Sequence, residues 1–232
     1  MRRIERDNMA RKAVVLLSGG LDSAVALYIA KEKGYDCHCL SFDYGQRHKR
    51  EIDSSRRIAK KVNAGLYMVR LKFPWKGSSL VDKKQKLPFN RTIEDINKKI
   101  PSTYVPSRNT IFLSVAGSLA EAIGAGAIFI GAHYEDSSGY PDCRKDYLDA
   151  FRKVIELGTR AGIEGALTLE FPLINESKSG IIKIGESLGV PFELTWSCYK
   201  GGKVPCLRCD SCVLRAKGFK EAGMEDPLLK WG

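Results

Sequence analysis

The residues Ser18-Gly19-Gly20-Leu21-Asp22-Ser23 stand between a short apolar run and a stretch with helical apolar spacing. Two adjacent glycines let the backbone turn tightly and bring its N–H groups close to an anion, and a helix starting at Leu21 adds the positive end of its dipole. Ser18 and Ser23 contribute hydroxyls of little bulk. The chemistry such a turn serves is the gripping of phosphates. It has no lysine of the G-x-x-x-x-G-K-[ST] kind and is not G-x-G-x-x-G, so it belongs to neither of those nucleotide-binding classes.

A second constellation lies near the carboxyl terminus. Cys198, Cys206, Cys209 and Cys212 follow the pattern C-x7-C-x2-C-x2-C, whose knuckle spacing lets four thiolates reach one tetrahedral zinc ion; a closed four-sulfur site has no open position and is structural. The chain has 7 cysteines, an odd number that suits zinc and free thiols in a reduced, cytoplasmic setting better than a disulfide framework. Cys37 and Cys39 alternate along a strand and read as small buried hydrophobes.

Three more segments carry polar groups of chemical interest: Phe42-Asp43-Tyr44-Gly45-Gln46-Arg47-His48, Val105-Pro106-Ser107-Arg108-Asn109 and Ser138-Gly139-Tyr140-Pro141-Asp142-Cys143-Arg144. What must position them is an alternation of elements. Strands are expected at 13–17, 36–42, 66–71, 127–130 and 167–171, with helices at 21–33, 46–62, about 109–123 and about 145–161. That alternation predicts an α/β fold, a Rossmann-like doubly wound parallel five-stranded sheet with helices on both faces. All three segments then fall at its carboxyl edge, where open α/β sheets bind ligands. His133 follows the fourth strand and either faces the site or is satisfied by backbone, while His38 reads as core.

Two stretches break the rhythm. Residues 72–107 carry four prolines without periodicity and read as an insertion or lid that orders only with ligand. Residues 177–232 read as a helical zinc-binding appendage, with a helix capped at 177–179 and running to Leu188, and a last helix over 212–222. Before the nucleotide-binding unit 13–176 lies a basic extension, 1–12. At about 150 residues per domain, 232 residues fit one catalytic domain with such an appendage.

Composition excludes several classes. With 44% hydrophobic and 28% charged residues the chain is an ordinary globular protein, and no apolar run approaches the roughly 18 residues of a membrane span. The net charge of +11 favours an anionic ligand. Basic residues crowd 1–12, 47–61 and 200–220, which suits a solvated face and a nucleic-acid surface equally. No signal peptide is expected.

SGGLDS resembles the PP-loop of the N-type ATP pyrophosphatases, and together with F-x-Y-G-Q-R-H, V-P-x-R-N, G-Y-P-D-C-R and the four cysteines it resembles the 7-cyano-7-deazaguanine synthase (QueC) family over almost the whole chain. The resemblance implies conversion of 7-carboxy-7-deazaguanine, ammonia and ATP into the nitrile 7-cyano-7-deazaguanine through adenylated carboxylate and amide, with Mg2+ and structural Zn2+. It further implies a cytoplasmic homodimer with no stable nucleic-acid complex and no membrane. Leu17, Ser18, Gly19, Gly20, Leu21, Asp22, Ser23, Ala24, Val25, Ala26 and Leu27 would form the ATP-binding stretch, Asp22 also orienting Mg2+. Asp22, Ser23, Arg108 and Arg144 would be catalytic, and Tyr44, Gln46, Arg47, His48, Arg108, Asn109, Tyr140, Asp142 and Arg144 would meet the substrate. Cys143 reads as packing or substrate contact, since this chemistry needs no thioester. The rival readings are a PP-loop enzyme modifying tRNA directly and a non-catalytic zinc-containing RNA-binding protein.

Overall fold

The computed structural model describes residues 11–133 and 139–231, with the side chains of 97, 98, 230 and 231 left aside. The basic extension up to residue 10 and Ser138 therefore lie outside the described residues. Five strands, β1 (Lys12–Leu16), β2 (Asp36–Asp43), β3 (Gly65–Arg70), β4 (Ala127–Phe129) and β5 (Thr168–Glu170), form one sheet in the order β3-β2-β1-β4-β5, and every pairing is parallel. Among the described residues the α-helices are α1 (Leu21–Glu32), α2 (Arg50–Lys61), α3 (Ile93–Lys98), α4 (Arg108–Ile123), α5 (Lys145–Gly158), α6 (Arg160–Ile163), α7 (Lys178–Ser187) and α8 (Asp210–Ala222).

Period-two alternation builds a core on each face of the sheet. Val14, Leu16, Leu40, Phe42 and Ile128 pack with Leu113 of α4 and Leu148 and Phe151 of α5. Ala13, Val15, Cys37, Cys39 and Phe129 pack with Val25 and Leu27 of α1 and with Ile181 of α7. Burial pushes the Cys37 thiol up to about 11 and the Cys39 thiol up to about 12, so both stay neutral and inert, as read from their alternation. His38 is half-buried at the sheet's side, its ring 5.9 Å from that of Tyr67.

The chain winds outward from β1 through β2 to β3, then crosses by α4 to β4 on the other side of β1. The loops leaving β1 and β4 therefore part company and open a crevice between them. No helix among the described residues is long and apolar enough to cross a membrane.

Two local differences from the sequence reading bear on the site. Helix α2 starts at Arg50 rather than 46, because Gln46 ties its own loop: its Oε1 accepts from Tyr44 N at 2.9 Å and its Nε2 donates to the Phe42 carbonyl at 3.1 Å. The 72–107 insertion, which shows no periodicity in sequence, has a short helix and buried residues of its own. It buries Ser78, Ser79, Leu80, Ile96, Thr103 and Val105 and contains α3, capped by Thr92, whose Oγ1 accepts from Asp95 N.

Candidate active site

The SGGLDS turn leaves β1 and enters α1 as its residue types dictate. Gly19 has φ +90°, and a Cβ there would lie 2.0 Å from the Glu51 carbonyl oxygen, so only glycine permits this approach to α2. Ser18 Oγ accepts from Gly20 N at 3.2 Å and shares a hydrogen bond of 3.0 Å with Ser23 Oγ, which also meets the Gly20 carbonyl at 3.0 Å. Leu17, Ser18, Gly20, Leu21, Asp22 and Ser23 border a cavity of about 280 Å³ in the crevice. Ala24, Val25, Ala26 and Leu27 do not: all four are fully buried beneath the turn. Within the stretch read as ATP-binding, these four side chains serve the core rather than the cavity.

Asp22 meets two groups brought from elsewhere. Lys178 Nζ donates to Asp22 Oδ1 at 2.7 Å and lies 2.8 Å from His133 Nε2, and His133 stands 3.8 Å from the same carboxylate. Burial opposes ionisation of Asp22, yet the Lys178 ammonium and His133 hold its carboxyl below the usual range. His133 is thus buried behind the cavity wall and joined to it through Lys178 and Asp22. Lys178 was missed by the sequence reading, although a signal was present: a lysine at the first position of a helix opposes the helix dipole and needs another partner.

The opposite wall is aromatic and basic. Phe42 and Phe112 stack with centroids 3.8 Å apart. The Arg108 guanidinium lies over the Tyr44 and Phe112 rings, 5.8 Å from each centroid, and donates to Tyr44 Oη at 3.4 Å. Burial works against its charge, but the neighbouring Tyr44 hydroxyl and other acidic groups hold it protonated more firmly than usual. Glu51, also missed, borders the cavity, and burial pushes its carboxyl up to about 7 against the pull of Arg108. A carboxyl in that range exchanges protons at neutral pH.

The other expected substrate contacts divide. Tyr44, Gln46, Arg47, His48, Arg108, Asn109 and Tyr140 all border the cavity. Yet Gln46 is committed to its loop, and Arg47 donates through Nε to the Ser79 carbonyl and through Nη2 to those of Asp82 and Gln85, stapling the insertion. His48 Nδ1 accepts from Arg50 N at 3.3 Å, and its ring packs so tightly on Gly201 that a Cβ there would lie 2.2 Å away. Asp142 is buried, outside the cavity wall. Its Oδ2 accepts from Asn109 N at 2.9 Å, capping α4, so this residue, expected to meet the substrate, is engaged at a helix start. Asn109 Nδ2 donates to the Asp142 carbonyl at 3.2 Å and to Cys143 Sγ at 3.1 Å, which gives Cys143 a packing role at the cavity edge. Arg144 is exposed at the start of α5 and does not border the cavity.

Beside this cleft the four cysteines converge, their sulfurs all within 4.8 Å of one another. Cys198 Sγ also accepts from Cys206 N at 3.3 Å. Hydrogen bonds from Cys209 and Cys212 hold the Cys198 thiol far below its ordinary value, and the same bonds push the Cys209 and Cys212 thiols up, so the cluster shares one thiolate at Cys198. Four sulfur donors at this separation fit a tetrahedral zinc ion.

The sequence profile of the queuosine biosynthesis protein QueC matches residues 12–223. The chain is 51% identical over 222 residues to a 7-cyano-7-deazaguanine synthase of Trichodesmium erythraeum, covering 94% of this chain and 100% of that one. It is likewise 51% identical over 218 residues to a 7-cyano-7-deazaguanine synthase of Thermoplasma acidophilum, covering 94% and 91%. Among solved structures it is similar to an NMN synthetase from Francisella tularensis, with a TM-score of 0.50 and 15% identity over 95% of this chain and 80% of that one, a likeness of fold alone.

Proposed function

The chain belongs to the family of the queuosine biosynthesis protein QueC, and from that premise we infer that it is an ATP-using enzyme that forms carbon–nitrogen bonds and makes 7-cyano-7-deazaguanine. The substrates we propose are 7-carboxy-7-deazaguanine, ammonia and two molecules of ATP. What supports the reading is that one cavity joins the SGGLDS turn to the 42–48, 108–109 and 139–143 segments, so a phosphate grip and a wall of aromatic rings and arginine face a single ligand space.

The chemistry proceeds in two like rounds. The substrate carboxylate attacks the α-phosphorus of ATP and pyrophosphate leaves; ammonia attacks the acyl carbon and AMP leaves, giving the amide. The amide oxygen then attacks the α-phosphorus of a second ATP and pyrophosphate leaves again; loss of AMP and of the two remaining nitrogen protons gives the nitrile. Ser18, Ser23 and the backbone of the turn hold the phosphates, and Lys178 adds positive charge beside them. Arg108 neutralises the carboxylate and the developing acyl-phosphate charge. Glu51 accepts protons shed by the attacking nitrogen. The stacked Phe42 and Phe112, with Tyr44, keep water from the acyl adenylate.

Asp22, held ionised, is the hard oxygen donor on this wall that would hold Mg2+, which when bound would neutralise phosphate oxygens. Cys198, Cys206, Cys209 and Cys212 would hold Zn2+ as a structural staple. The protein acts as a cytoplasmic homodimer in this reading.

The test is incubation of purified protein with MgATP, ammonium and 7-carboxy-7-deazaguanine, followed by mass spectrometry. Nitrile with AMP is expected; no turnover of the heterocycle would overturn the substrate assignment.

A further inference from the structure

We propose that the four-cysteine module holds the roof of the cleft in place through a guanidinium–carboxylate latch between Arg91 and Asp210, which makes both positioning residues for the heterocycle. The roof is the 72–107 insertion, whose Leu80, Ile96 and Pro101 border the cavity. Its near end is stapled by Arg47 to the loop after β2. Its far end is tied to the cysteine loop. There Arg91 Nε donates to Asp210 Oδ1 at 3.1 Å, and Nη2 donates to Asp210 Oδ2.

Three further contacts lie beside the fork. Phe89 makes an isolated antiparallel bridge with Cys209, Asn90 N donates to the Arg208 carbonyl at 2.8 Å, and the Arg208 guanidinium sits 5.2 Å over the Phe89 ring. Every one of these partners, Arg208, Cys209 and Asp210, lies inside the cysteine stretch. Asp210 itself is 4% exposed and borders the same cavity as the roof residues.

The physical consequence is a chain of dependence. Residues 199–208 have no helix or strand of their own, so their course rests on the four sulfurs being gathered. That course leads into Asp210, the first residue of α8, whose first turn is flanked by Cys209 and Cys212 of the cluster; the two together set where the Asp210 carboxylate stands, and the planar fork on it sets where the roof stands. A fork is geometrically demanding: an ammonium on a lysine stem supplies charge but not two parallel donors. Losing either the fork or the metal should therefore loosen the roof while leaving the phosphate turn, which hangs on the sheet, intact. The inference rests on the reading that the heterocycle lies under the roof.

The experiment is amide hydrogen exchange on the metal-loaded protein and on its Arg91→Ala and Arg91→Lys variants, with KM values for both substrates. In both variants the amides of Asn90 and Ile96 should exchange about tenfold faster or more, as expected for loss of one charge-assisted fork. Amides of β1, β2 and β4, and metal content, should stay as in the parent. KM for the heterocyclic acid should rise about tenfold, with KM for ATP and kcat within about twofold. Chelating the metal from the parent protein should reproduce the roof pattern. Unchanged roof exchange in Arg91→Ala, or a loosened roof with an unchanged KM for the acid, would overturn the proposal. If the parent itself fails to convert the acid, the function assignment fails, and the exchange data alone still decide the latch.

Discussion

The Lys178 ammonium lies 2.7 Å from the Asp22 carboxylate, joining the start of α7 to the phosphate turn across 156 residues of sequence. Removing the ammonium leaves the Asp22 carboxylate, a quarter exposed in the cleft wall, beside the His133 ring. Lys178→Met should therefore cost about 1–3 kcal/mol of stability, less than a fully buried pair because solvent screens part of the charge. It should also lower turnover at least about 100-fold, the equivalent of roughly 2.7 kcal/mol in the barrier. Denaturant titration and steady-state kinetics measure the two effects. Turnover near that of the parent would remove Lys178 from the phosphate site.

Glu51 gives the protein a pH signature. Its folded value of about 7 lies above the ordinary carboxyl value of 4.5, so between those values the folded state binds more protons than the unfolded chain. Stability from this group is complete below about pH 4.5, falls as pH rises, and is fully lost above about pH 7. Glu51→Gln should flatten that part of the profile by about 1–2 kcal/mol after allowance for solvent screening. Urea midpoints at several pH values between 4.5 and 8 are the check, and a variant profile parallel to that of the parent would mean Glu51 ionises normally.

Gly19 is where backbone geometry alone is predicted to decide function. At φ +90°, with the Glu51 carbonyl 2.0 Å from where a Cβ would stand, alanine forces the turn away from α2. Gly19→Ala should weaken ATP binding by an order of magnitude or more and cost about 2 kcal/mol or more of stability. Calorimetric titration with ATP and thermal melting report each effect, and undiminished ATP affinity would show that the turn tolerates displacement.

How far these features could be read beforehand depended on whether they are local. The strand–turn–helix around Ser18 to Ser23, the cysteine cluster and the parallel sheet rest on spacing within short windows, and they stand where expected. Lys178, Glu51 and Asp210 reach the cleft only because α7, α2 and α8 are folded against it, a fact of topology that no window contains. The 42–48 segment shows the converse. Its residue types look like ligand contacts, yet Gln46 and Arg47 spend their donors on the Phe42 carbonyl and on those of Ser79, Asp82 and Gln85. Buried carbonyls of irregular loops need donors as much as substrates do.

Asp142 shows the same competition and makes it measurable. Its carboxylate accepts from Asn109 N at the start of α4, so Asp142→Ala should behave as a lost helix cap, costing about 1–2 kcal/mol. Because Asn109 and Arg108 open that helix, kcat should fall through their displacement while Asp142→Asn, which keeps an acceptor oxygen, recovers most of it. Melting temperature and kinetics of the two variants separate the cases. A large rise in KM for the acid with no loss of stability in either would return Asp142 to direct contact with the substrate.

Cys206 is the half-exposed member of the cysteine set, which makes it the position where ligation can be removed with least loss of packing. Cys206→Ser should lose stoichiometric metal, and the Arg215–Asp226 pair, with Arg215 Nε 2.6 Å from Asp226 Oδ2 in the core of the appendage, should then keep α8 folded beyond its first turn, while that first turn, which carries Asp210 and Cys212, loosens. Elemental analysis is expected to find less than about half of the parent's zinc, since a three-sulfur site binds far more weakly than a closed four-sulfur one. Thermal stability should fall in step with the lost metal, because residues 199–208 have no helix or strand of their own to hold them without it. Unchanged zinc content in Cys206→Ser would show that Cys206 is not a ligand.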